Sequence, residues 1–265
     1  MKLNWEDILI TAAAIVDSYD TSVTLRQLFY RLVSREIIPN TKSAYTQLSK
    51  RTAEARREGW FPALVDKTRG IHVSRTFEGA DEAKRWLSRV YRMDRTEGQP
   101  YTLVLGVEKH GMVNQLSSWF GEYGIPIVSL GGYSSQSYVD EIRDYVERYD
   151  RPAVLIYAGD FDATGKDIDR DFIERTNCFT VTERVALNRD QIMEYNLPIL
   201  PGKATDTRAA RFIKEVGELV QVELDALEPD VLRDAYRAVT SEYFDMSIYR
   251  EVMETESRER QALVV

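Results

Sequence analysis

Two stretches decide how this chain is read: Tyr101-Thr102-Leu103-Val104-Leu105-Gly106-Val107-Glu108 and Pro152-Ala153-Val154-Leu155-Ile156-Tyr157-Ala158-Gly159-Asp160-Phe161-Asp162. Each is a short run rich in Val, Leu and Ile, bounded by turn residues. That pattern predicts strands of a parallel sheet buried on both faces. Both runs end in carboxylates where strand passes into loop, the edge at which open α/β sheets bind ligands. Glu108, Asp160 and Asp162 converging there would make an oxygen-rich site suited to Mg²⁺ (or Mn²⁺), which in turn binds substrate phosphates.

Asp-x-Asp alone carries little, because Asp167/Asp169 and Asp169/Asp171 repeat it; a solvated helix face is the expectation for those. Placement is more specific. A Glu ends one apolar strand, Asp-x-Asp-x-x-Gly ends another, and a helix-strand-helix stretch lies between. In this arrangement the region resembles a Toprim domain, the metal-binding fold of topoisomerases, primases and some nucleases. The alternative, acidic residues that only cap helices, stays open.

The chain has 265 residues and a formal net charge of −8. An acidic total argues weakly against nucleic acid, but the distribution reverses this. Residues 21–75 hold eleven Lys/Arg against four acids, a segment charge of +7. Such asymmetry points to a nucleic-acid-facing module. No apolar run of about 18 residues predicts a membrane helix, and the first residues lack a signal-peptide pattern. The lone Cys178 excludes an internal disulfide and fits a reducing cytosol; with the basic segment, a cytoplasmic, nucleoid-associated protein is the expectation. Cys178 with only His72 and His110 argues against zinc, and its setting, Asn177 to Val181, reads as strand rather than as a nucleophile's loop.

Helical spacing predicts a first helix over 5–17. A second starts at Thr21-Ser22 or Thr24, with Leu25, Leu28, Phe29 and Leu32 as its stripe. Pro39-Asn40-Thr41 opens a third over about 42–58, ending at Gly59. Residues 60–73 alternate as a small hairpin would. Three helices and a hairpin suggest a winged helix-turn-helix, with Lys50, Arg51, Arg56 and Arg57 of the third helix on DNA; a basic solvated helix is the competing reading. A connecting helix over 79–94 and a linker, Thr96-Glu97-Gly98-Gln99-Pro100, lead to alternating strands (101–107, 126–130, 153–158, 179–182) and helices (111–122, 135–149, 164–175). Helices over 208–222 and 229–243 follow. The loop Gly131-Gly132-Tyr133-Ser134-Ser135 could hold phosphate or be a tight turn. Neither Gly165-Lys166 nor Gly202-Lys203 completes a P-loop, since Asp160 and Leu197 stand where the first Gly belongs; no ATP site is expected in this chain.

Arg26 and Tyr30, four apart, share a helix face. A tyrosine with the ordinary pKa near ~10 is a poor nucleophile. A neighbouring guanidinium favours the phenolate and stabilises phosphoryl transition-state charge, and activated tyrosines form covalent intermediates. By spacing alone, Tyr30 is equally a core aromatic.

A winged helix bearing Leu25-Arg26-x-x-Phe29-Tyr30, then Val107-Glu108-Lys109 and Gly159-Asp160-x-Asp162, resembles the topoisomerase VI A subunit and its meiotic double-strand-break relative, in a compact bacterial or phage form. Arg184 to Asn188, Tyr195 to Pro198, and Glu223-Leu224-Asp225-Ala226-Leu227 resemble later family stretches. The family's Asp-x-Asp-Pro-x-Gly lacks its proline here, at Ala163. The resemblance implies an α/β chain with a winged-helix domain and connecting helix over 1–95. A Toprim domain with a helical extension would cover 96–265. It also implies Tyr30 as the DNA-attacking tyrosine, assisted by Arg26, and Glu108, Asp160 and Asp162 as metal ligands. The partners implied are double-stranded DNA, a second copy of the chain with tyrosine and metal supplied by different subunits, and an ATPase B-type subunit. Two rivals remain: a Toprim nuclease that uses water, with Tyr30 structural, and a non-catalytic DNA-binding protein.

Overall fold

The structure, a computed structural model, describes residues 4–65 and 74–263. It is a mixed α/β fold with eleven α-helices and a four-stranded parallel sheet among the described residues. Helices α1 (Trp5–Asp17), α2 (Leu25–Ser34) and α3 (Lys42–Arg57) form the N-terminal unit. Thr24 starts α2 with a capping box, its hydroxyl accepting from the Gln27 N–H while the Gln27 side chain returns to the Thr24 N–H. Thr41 caps α3, and Gly59, at φ +84°, follows its end. The stripes meet in one core that includes Ile8, Ala12, Ile15, Leu28, Phe29, Leu32 and Leu48. Of the expected hairpin, Val65 bridges Thr24, its N–H donating to Val23 O at 3.0 Å; residues 66–73 lie outside the described residues.

The sheet contains β1 (Thr102–Val107), β2 (Ile127–Ser129), β3 (Ala153–Ala158) and β4 (Val181–Ala186) in the order β2-β1-β3-β4, all parallel. All six residues of both β1 and β3 are buried, because helices cover both faces. Leu103, Leu105, Val107, Val154 and Ile156 pack with α5 (Val113–Phe120) and α10 (Pro229–Tyr243). Val104, Leu155 and Tyr157 pack with α6 (Gln136–Glu147) and α7 (Ala163–Thr176). Side chains alternate across a strand, so continuous apolar runs serve both layers.

The structure departs from the sequence reading in several places. The connecting helix, α4 (Ala80–Val90), stops where Tyr91 turns extended, and it packs on a helix not foreseen, α11 (Met246–Ala262). The stretch read as a linker is a pinned strap. Arg95 makes a two-bond pair with the fully buried Glu256, at 2.9 and 2.6 Å. Arg151 donates to Thr96 O and Gln99 O, and Gln99 exchanges hydrogen bonds with the Asp245 backbone. Between β4 and α10 lie α8 (Arg189–Glu194), β5 (Leu200–Pro201), α9 (Ala209–Val216) and β6 (Val220–Gln221). α9 is half the expected length because Gly217, at φ +95°, closes it, freeing β6 to pair antiparallel with β5.

Candidate functional site

Parallel pairing puts Val107 of β1 beside Ala158 of β3, so the residues that follow emerge together at the carboxyl edge. The Glu108 N–H donates to Ala158 O at 2.9 Å, and Glu108 Oε2 accepts from the Asp160 N–H at 2.8 Å. Asp162 N-caps α7, with Oδ1 accepting from the Gly165 N–H at 2.7 Å. One oxygen of Asp162 thus caps a helix, and Glu108, Asp160 and Asp162 line one cleft. Gly165 has no room for a side chain: a Cβ would lie 2.6 Å from Asp160 O and 3.1 Å from Glu108 Oε2.

A second chain segment completes the edge. Phe161 and Val222 pair as an antiparallel bridge, laying Glu223, Leu224 and Asp225 beside the Asp160 loop. Asp160 Oδ1 accepts from the Leu224 N–H at 2.7 Å. Lys109 Nζ lies 3.2 Å from Asp160 Oδ1, 2.5 Å from Glu223 Oε2 and 2.9 Å from Asp225 Oδ2. Lys109, Glu223 and Asp225 were not singled out as site residues by sequence reasoning, although all three lie in the stretches that carried the family resemblance. Arg184 of β4 donates to Gly159 O and Asp160 O and pairs with Asp169, fixing the loop from below. Asp167 and Asp169 are thus not a solvated helix face: Asp169 holds Arg184, and Asp167 holds Arg170, Arg208 and the Tyr133 hydroxyl.

Burial dominates the electrostatics. It raises Glu108 above the usual carboxylate range, against the Asp160 N–H that favours the anion. It pushes Asp160 up to about 8, with Lys109 opposing and Glu108 and Glu223 adding to the rise. Burial acts to lower Lys109, but the charges of Asp225, Asp160 and Glu223 outweigh it and keep the ammonium well above its ordinary range. Among the described residues, no three acidic, His or Cys side chains form a finished ion cage as they stand. The donor chemistry nevertheless suits a hard divalent cation: Glu108, Asp160 and Asp162 offer only oxygen, and Glu108 and Asp160 are desolvated carboxylates that a cation would relieve.

The helical unit docks on this edge through α2. Arg31, 3% exposed, donates to Ala226 O and Leu227 O at 3.3 and 3.4 Å and pairs with Glu228. One turn earlier on the helix, Gln27 Nε2 reaches Gly111 O at 3.4 Å. Tyr30, half-buried and edge-on to Phe29, has Lys109 Nζ 5.1 Å and the Arg26 guanidinium 5.6 Å from its ring centroid. Tyr30 and Arg26 thus lie next to the acidic edge of their own chain, bridged to Asp160 by Lys109. A cleft of about 480 Å³ runs from Glu108, Asp160 and Asp162 past Glu223 to Arg26.

The four basic residues predicted on α3 stand apart from this cleft. Lys50, Arg56 and Arg57 are exposed. Arg51 is not freely presented, because its guanidinium lies over the Trp5 ring, 5.2 Å from the centroid. Gly131 approaches the Glu108 backbone, where a Cβ would meet Glu108 O at 3.1 Å, and Gly132 is left-handed at φ +84°. No helix of the described residues is long and apolar enough to cross a membrane. Neither protein-family models nor curated proteins give a match to this sequence.

Proposed function

We propose that this chain is a DNA-cleaving transesterase of the topoisomerase VI A-like kind, its helical unit a winged helix and its sheet unit a Toprim domain. One observation carries the reading: the Tyr30 ring lies beside two cations, Arg26 and Lys109, both of which line the acidic cleft, and Lys109 pairs with Asp160 there. Tyr30 Oη forms a bond to a backbone phosphorus and loses its proton to water. The 3′ oxygen departs and takes up a proton, leaving a 5′-phosphotyrosyl end. Arg26 and Lys109 offset the charge that develops on the phosphoryl oxygens. Glu108, Asp160 and Asp162 would hold Mg²⁺ or Mn²⁺, which supplies charge stabilisation at phosphate and leaving oxygen. The exposed Lys50, Arg56 and Arg57, with a smaller part for Arg51, set the duplex by its phosphates.

A double-strand cut needs one tyrosine per strand, so the DNA-bound form is read as a homodimer matching duplex symmetry. Coupling to ATP would come from a separate B-type ATPase subunit, and the setting is the nucleoid in the cytoplasm. The resemblance implies tyrosine and metal from different subunits; the contact of Tyr30 with its own Lys109 supports a site supplied by one chain. The hydrolytic reading, in which water attacks, is favoured by one observation: Tyr30 packs edge-on against Phe29 as a structural aromatic would. A product assay separates the readings. End-labelled duplex with Mg²⁺ should give a protein–DNA adduct that Tyr30→Phe and EDTA both abolish. Free cut ends from Tyr30→Phe protein would make the chain a nuclease, and uncut DNA under all conditions would make it a binding protein.

A further inference from the structure

Arg26 lines the acidic cleft, and not that one alone. Arg26 also lines a second cleft of about 390 Å³, with Phe29, Tyr30, Lys42 and Tyr45. The two clefts share Arg26, and Tyr30 lines the second. Their chemistry is opposite. The first is walled by carboxylates, whereas no acidic side chain lines the second among the described residues. Lys42 and Arg26 are exposed, and among the described residues neither has an ion-pair partner. Three aromatic rings line the same cleft: Tyr45 meets Phe29 edge-on at 5.1 Å and 81°, and Tyr30 meets Phe29 at 5.4 Å. Phe29 is buried and acts as the floor, while Tyr30 and Tyr45 keep exposed flanks on the cleft.

Unpaired cations interleaved with aromatic flanks are what a nucleic-acid strand uses: phosphates on the cations, bases on the rings. The volume falls in the ~300–1,000 Å³ range of ligand clefts. Building on the transesterase reading, we infer that the cleft bounded by Arg26, Tyr30, Lys42 and Tyr45 binds the DNA nucleotide adjoining the attacked phosphate. Its own phosphate lies between Arg26 and Lys42 and its base stacks on Tyr45. This subsite is at the opposite end of α3 from Arg56 and Arg57. Lys42 and Arg56 are fourteen residues apart, about 21 Å along a helix. One helix therefore carries two separate DNA contacts, a duplex-positioning surface at its C-terminal end and a strand-gripping pocket at its start.

The test measures affinity by fluorescence anisotropy for a fluorescein-labelled single-stranded DNA oligonucleotide and for its duplex. Tyr30→Phe protein in EDTA serves as background, so binding is read without cleavage. Lys42→Gln should weaken strand binding about 3- to 10-fold and lower the log–log salt slope by about 0.7. Tyr45→Leu should weaken it about 5- to 150-fold, the range for removal of one base–aromatic stack, and Tyr45→Phe should bind as the background does. Lys214→Gln, an equal loss of charge on α9, is the comparator. If Lys42→Gln and Tyr45→Leu both match that comparator, the subsite is overturned. A loss at Lys42 with Tyr45→Leu unchanged overturns the nucleotide assignment and leaves phosphate tracking alone. Should Tyr45→Leu not fold, the salt slope of Lys42→Gln decides. If Tyr30→Phe protein cuts DNA as the parent does, the transesterase reading falls, while these affinities still judge the subsite.

Discussion

Lys109→Met tests the electrostatics of the edge. Methionine keeps an unbranched stem and removes the ammonium that touches Asp160, Glu223 and Asp225. The lysine side chain is 16% exposed and its partners 9–19%, so solvent screens the interactions only in part. Removing one partner of a buried pair costs ~3–5 kcal/mol, and the partial exposure favours the lower end, about 3 kcal/mol. For a chain of this size that is roughly 6–12 °C in Tm. The loss should depend on pH. Asp160, raised to about 8 with Lys109 present, rises further without it. A carboxyl raised in the folded state favours folding while it holds its proton and loses that contribution as pH climbs through its folded pKa. The variant's deficit should therefore be larger at pH 9 than at pH 5, where Asp160 is protonated but Glu223 still lacks its partner. Urea denaturation followed by tryptophan fluorescence, run from pH 5 to 9 without divalent ions, measures it. A loss under about 1 kcal/mol at pH 9, or equal losses at both ends, would show that Lys109 does not compensate the acidic edge.

Other outcomes follow from the same geometry. Gly165→Ala forces a Cβ to 2.6 Å from Asp160 O, so α7 must move off the Asp160 loop, and urea denaturation should show a loss of ~1–3 kcal/mol; an unchanged midpoint would mean the helix start has slack. Changing Lys50, Arg56 and Arg57 together to Gln should lower the salt slope of duplex binding by about 0.9 for each phosphate no longer neutralised. Adding Arg51→Gln should lower it little further, because that guanidinium is engaged over Trp5; a parental slope in the quadruple variant would remove α3 from the duplex interface. Mixing Tyr30→Phe with Asp160→Asn protein should not restore nicking, since a one-chain site leaves both sites of the mixed dimer defective. Nicking by verified heterodimers would refute the one-chain site and support tyrosine and carboxylates from different subunits.

Local chemistry made much of this legible in advance. β1 and β3 could be read because strands covered on both faces are continuous apolar runs, and Glu108 and Asp160 because they end those runs. Thr24 and Thr41 are caps whose hydroxyls satisfy helix N–H groups a few residues on, a relation contained within one turn. α11 escaped because its buried positions are sparse and one of them is a charge: Glu256 is buried because Arg95, Arg260 and the Met93 N–H meet it. The strap at 95–100 looked like a linker since Gly98 and Pro100 are turn residues, yet its side chains and carbonyls are held by Glu256, Asp245 and Arg151. Asp167 and Asp169 looked solvated because helical spacing does not say that Arg208 and Arg184 arrive from other elements.

By itself, the sequence determined the two-layered coverage of a parallel sheet, the carboxylates at its edge, and an amphipathic α2 with Arg26 and Tyr30 on one face. Each depends on periodicity or on neighbours a few residues apart. Only the tertiary structure decided what the carboxylates face. Lys109 meets Glu223 and Asp225 across separations of 114 and 116 residues, and Arg31 meets Ala226 and Leu227 across 195 and 196. Those meetings depend on the bridge between Phe161 and Val222 and on which surface of α2 mates with the sheet's edge. Closing such long loops costs entropy that no local pattern records, and the return comes from burying many groups at once.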